Sequence, residues 1–91
     1  MTHSIPLQPT LFEPTFVGLR TALVLPAEPL IEHGDHLVLQ EFVPSRGLYT
    51  GRWVRAQATF VEHVDRGARQ VVSIRGTARS SGEPIARRPA A

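Results

Sequence analysis

The chain has 91 residues, 42% hydrophobic and 20% charged, which suits one soluble folded domain with a single modest core and leaves no room for a second. It contains no cysteine and no lysine, which excludes disulfides, thiolate nucleophiles, sulfur-ligated zinc and a lysine base. The longest apolar run, Leu23 to Ala27, is far too short to span a bilayer, and the first residues lack the pattern of a secretory leader, so no membrane role and a cytoplasmic location are expected.

Charge is unevenly distributed. Residues 1–41 carry one arginine against five acidic residues, whereas residues 42–91 carry nine arginines against three. Arginine suits bidentate phosphate contacts and stacking on bases, although codon bias in a GC-rich genome produces the same preference.

Thr2 to Leu7 reads as a first strand. Gln8-Pro9-Thr10 then leads into a short helix carrying Leu11, Phe12, Phe16 and Val17, with Gly18 as its stop. Pro14 interrupts that pattern, so either Thr10 caps a distorted helix or the regular part begins at Pro14. Arg20 to Leu25 reads as a second strand, residues 26–36 as a loop and Leu37 to Phe42 as a third strand. Pro44-Ser45-Arg46-Gly47 turns the chain back through Tyr49-Thr50-Gly51. In the fourth strand Val54, Ala56, Ala58 and Phe60 share one face by period two, with Arg55, Gln57 and Thr59 on the other. Asp65-Arg66-Gly67-Ala68 is a turn, and Val71 to Ile74 is a closing strand. Residues 76–91 lack periodicity and are rich in proline and small residues, which predicts a flexible tail after a domain spanning 1–75.

The succession Gly34-Asp35, Leu39-Gln40-Glu41-Phe42, Tyr49-Thr50-Gly51-Arg52 and Val72-Ser73-Ile74 resembles an uncharacterised phage and bacterial family of the PUA/ASCH-like superfamily. The beginning matches at His3, Pro9, Phe12, Glu13, Gly18 and Thr21. The family's two lysines are here Pro6 and Arg20, and its glutamate and arginine are Leu23 and Leu25. The resemblance implies an α+β fold, a small, partly open mixed β-barrel of about five strands with one short helix between the first two. It further implies binding of RNA or a modified nucleoside in a cleft between helix and barrel. Relatives that hydrolyse acylated cytidines use a lysine, which is missing here, and arginine does not replace it as a base because it keeps its proton.

The expected function is therefore non-catalytic nucleic-acid binding, most readily of RNA. Arg20, Arg52 and Arg55 would meet phosphates, Tyr49 or His3 a base, and Thr21 would line the cleft; Trp53, beside Arg55, is either core or a partly exposed neighbour. The alternative is a phage or mobile-element protein with a degenerate cleft, which docks on a host protein complex, for example as a defence inhibitor, through an exposed apolar strip at Leu23 and Leu25. No cofactor or metal is expected: His33, Asp35 and His36 belong to a turn and lack further ligands at a recognisable spacing. No hydrolase elbow, phosphate-binding loop or metalloprotease motif is present, and nothing in their spacing brings Glu41 and Glu62 together.

Overall fold

Alternation of apolar and polar residues along the chain is realised as one curled five-stranded sheet wrapped over one short helix. The computed structural model describes residues 1–80. They run β1 (Thr2–Leu7), α1 (Pro9–Phe16), β2 (Ala22–Pro26), β3 (His36–Val43), β4 (Leu48–Val64) and β5 (Arg69–Arg79), with a 3₁₀ turn at Asp65–Gly67. The sheet order is β1-β3-β4-β5-β2; β1 lies parallel to β3 and every other pairing is antiparallel. The result is a half-barrel of mixed strands, open between the edge strands β1 and β2. Among the described residues no helix is long and apolar enough to cross a membrane.

Helix α1 is short because the chain allows it little more. Gln8 occupies the cap position without a side-chain hydrogen bond, Pro9 opens the first turn, and Pro14 sits inside the helix rather than starting it. Thr10 is thus a helical residue and not the cap. Pro14 has no N–H to donate, and as it lies close to the helix end only one backbone bond is lost. Gly18, at φ 84°, ends the helix as its position predicted. Phe12, fully buried, and Thr15 turn into the concavity against β3 and β4, with Phe16 partly buried against the same core.

The inner face collects Ile5 and Leu7 from β1, Leu37 and Leu39 from β3, Val54, Ala56 and Ala58 from β4, and Val72 and Ile74 from β5. Leu23 and Leu25 join them at 2% and 9% exposure. They alternate with outward-facing Ala22 and Val24 and pair with Val72 and Gln70, so they are core and not the exposed strip expected of them.

Two bulges change which side chains face inward. Between Ala58 and Phe60 the partner advances by one residue only, from Ile74 to Ser73, so Thr59 is extra. Phe60 is thereby turned outward and is 60% exposed, while Val61 takes the inward position; Phe60 does not belong to the core face of β4. On β5, Ala56 pairs with Gly76 and Arg55 with Ala78, leaving Thr77 extra and turning Arg79 inward. Strand β5 therefore continues to Arg79, and residues 76–79 belong to the sheet rather than to a tail; what remains of the expected tail, residues 81–91 with Arg87 and Arg88, lies outside the described residues.

Candidate nucleic-acid interface

A side chain's face in a strand is set by parity, so Arg52 and Arg55, three residues apart, point to opposite sides of the sheet. Arg52 points inward. Its guanidinium donates to Glu13 Oε1 at 2.9 Å and to Glu41 Oε1 at 3.4 Å, and lies 4.3 Å from the Phe16 ring centroid and 5.3 Å from that of Phe12. Glu41 is buried, and its Oε1 also accepts the Thr50 hydroxyl at 2.7 Å. Gly51, at φ 93°, lets the chain pass through the irregular pairing opposite Glu41. The Tyr-Thr-Gly-Arg segment is thus a clamp that fastens α1 to the β3–β4 hairpin. Arg79 completes it from the other side, donating to the Phe16 carbonyl at 2.6 Å with its guanidinium 5.2 Å from the Phe16 ring.

The other expected site residues are dispersed. His3 is buried on the inner face and its Nε2 lies 2.9 Å from Asp35 Oδ2. Asp35 also accepts the Glu32 backbone N–H at 3.0 Å and the terminal amine at 3.2 Å. The Glu32 bond first, then His3, hold its carboxyl down at about 2. His3 is therefore committed to a turn-fixing pair. Arg20 donates its Nε to the Ala22 carbonyl, and with Thr21 it lines a cavity of about 30 Å³ beside Val54 and Ile74, near the opposite edge of the sheet. Glu41 and Glu62 do not converge: the first faces inward, and the second is exposed at the far end of β4, paired with Val71.

A groove of about 280 Å³ opens at the seam between β1 and β2, lined mainly by Ile5, Leu25, Pro26, Pro29 and Ile31. Gln70 forms part of its wall, fully buried, and both ends of its amide are used. Its Nε2 donates to the Pro26 and Pro29 carbonyls at 2.8 and 2.7 Å, and its Oε1 accepts the Ile31 N–H at 3.1 Å.

The convex face has a different character. Strand register places Thr2, His36, Gln57 and Arg75 in one row and Ser4, Val38, Arg55 and Ala78 in the next. Trp53 and Gln40 follow, then Tyr49 and Phe42, whose rings lie 4.9 Å apart. Arg55 lies 5.6 Å from the Trp53 ring centroid, so Trp53 belongs to the outer face and not to the core. Arg75 donates to Gln57 Oε1 at 2.8 Å. Helix α1 covers only the concave side, leaving these residues without a covering element among the described ones. Arg55 and Tyr49 therefore share a face with His36, Trp53, Gln57 and Arg75, none of which is an acid. His36, expected in a turn and weighed there only as a metal ligand, is instead the first residue of β3; Gln57 was placed on the outer strand face without a role, and Arg75 had none, although alternation and the β3–β4 hairpin suffice to bring the first two together. Compared with known proteins, the chain matches no family model, and no curated protein aligns significantly with it.

Proposed function

We propose that this chain is a non-catalytic nucleic-acid-binding module, with RNA as its first ligand, and that it works through the convex face of the sheet. The observation that carries the reading is parity: it gathers Arg55, Arg75, His36 and Gln57 beside Trp53 and Tyr49 on an uncovered surface. Guanidinium groups supply phosphate contacts and the aromatic rings supply stacking surfaces. On the strands of this face the first carboxylate beyond Arg55 is Glu62, seven residues along β4, or roughly 23 Å away. The resemblance to PUA/ASCH-like barrels, which we propose as the family relationship, supports RNA over other polyanions. The bound surface differs from the cleft which that resemblance implies, since Arg52 and His3 are engaged within the fold.

Fluorescence anisotropy with labelled single-stranded and structured RNA tests this. Two phosphate contacts, from Arg55 and Arg75, weaken single-strand binding about sevenfold between about 50 and 200 mM salt, and an Arg55→Ala/Arg75→Ala variant loses that part of the salt dependence. Absent binding, or binding unchanged in the double variant, refutes the proposal.

A second reading, docking on a host protein complex, draws on the outward Val24 and Phe60, 52% and 60% exposed on β2 and β4 with β5 between them. It predicts a partner that survives nuclease treatment and is lost on Phe60→Asp.

A further inference from the structure

Within the convex face, Arg55 joins two features of different chemistry. On one side it lies over the Trp53 ring. On the other it borders a depression of about 240 Å³ whose rim also includes Thr2, His36, Val38 and Thr77. Leu37 and Ala56 line its floor, and since both point their side chains into the core, they offer mainly backbone to the outside. The Thr77 hydroxyl donates to the Arg55 carbonyl at 3.2 Å, which fixes the bulge beneath the arginine. The Arg55 guanidinium, the His36 ring and the Thr2 hydroxyl remain as hydrogen-bonding groups around the rim. Asp35, the nearest acid in sequence, turns inward to His3 and does not oppose an anion there.

Resting on the nucleic-acid reading above, we propose that the ligand is single-stranded, with one base stacked at Trp53 and the adjoining phosphate held in the depression between Arg55, His36 and Thr2. The geometry favours a single strand over a duplex for a physical reason. A paired base is already stacked within its helix and shows only its edges, whereas an unpaired base can lay its face on an aromatic ring. Arg55 touches both subsites, so base and phosphate contacts fall within the reach of one nucleotide. Arg75 lies one row along and one strand over from Arg55, about 8 Å, where it meets a further phosphate of an extended strand.

The chain has a single tryptophan, so its tryptophan emission reports on this stack alone. The wild-type protein is titrated with an oligouridine dodecamer, the matching oligodeoxythymidine and an RNA hairpin stem, following tryptophan emission and the anisotropy of labelled oligomers in parallel. Saturable quenching that tracks the anisotropy, with the hairpin stem bound more weakly, is the expected result; the two oligomers distinguish RNA from DNA as the source of the same chemistry. Trp53→Ala weakens single-strand binding at least about fivefold, and His36→Ala or Thr2→Ala weakens it while leaving the quenching amplitude at saturation intact. Single-strand binding without quenching, or equal affinity for the stem, overturns this mode of binding but leaves nucleic-acid binding standing. No binding of any oligomer overturns both.

Discussion

Replacing Gln70 with leucine removes three hydrogen bonds while keeping nearly the same volume, so it isolates the polar contribution of a fully buried side chain. The Ile31 N–H is left in a buried position, at a cost of about 1–3 kcal/mol. The Pro26 and Pro29 carbonyls belong to exposed residues and can turn to water, so each contributes nearer the lower bound of about 0.5 kcal/mol. Together this gives roughly 2–4 kcal/mol, a large part of the about 5–14 kcal/mol available to a chain of this length. At about 4–8 °C per kcal/mol, the melting temperature falls by roughly 8–32 °C. Thermal and urea unfolding followed by circular dichroism measure this. Gln70→Glu, which keeps the acceptor but aims a buried carboxylate at two carbonyls, melts lower still near neutral pH. A loss below about 0.5 kcal/mol for Gln70→Leu would show that the amide does not hold the 26–31 loop, and the reasoning would fail.

Phe12→Ala costs about 3–5 kcal/mol, whereas Phe60→Ala changes stability by less than about 0.5 kcal/mol; equal costs in urea unfolding would contradict the bulge at Thr59. Asp35 has its folded pKa lowered to about 2, so the stability it contributes is complete above its unfolded value near 3.8 and is lost as pH falls toward 2. Thermal melts should accordingly show a gap between wild type and Asp35→Asn that is constant near neutral pH and closes between about pH 4 and pH 2; a gap independent of pH refutes the assignment. Arg52→Ala, which breaks the α1 clamp, lowers the melting temperature with little direct effect on RNA affinity under folding conditions, while Arg55→Ala does the reverse. Paired melting and anisotropy measurements on the two variants check this, and the opposite pattern would reassign the site.

Much of the sheet could be read from alternation alone, because burying one face imposes a period of two that the residues around Val54, Ala56 and Ala58 display directly. The helix stop at Gly18 was legible for a similar reason: a left-handed position favours glycine. Phe60 and Arg79 were not legible. Each lies just beyond a single extra residue, Thr59 or Thr77, and neither threonine signals that it will be left out of register. The division of the arginines was legible in principle, since a separation of three places Arg52 and Arg55 on opposite faces. The strip expected at Leu23 and Leu25 failed on the same ground, because two residues alternating with Ala22 and Val24 on an edge strand fit a core face as well as an exposed one. Arg75 reached the site only through the β4–β5 register, a long-range pairing that no local motif encodes.

Amide and indole chemical-shift mapping during titration with oligouridine locates the ligand-bearing surface. Binding on the convex face concentrates the shifts at His36, Trp53, Arg55, Gln57 and Arg75. Shifts confined to His3, Arg20 and Thr21 would instead put the ligand on the concave side and its rim and rule the convex face out.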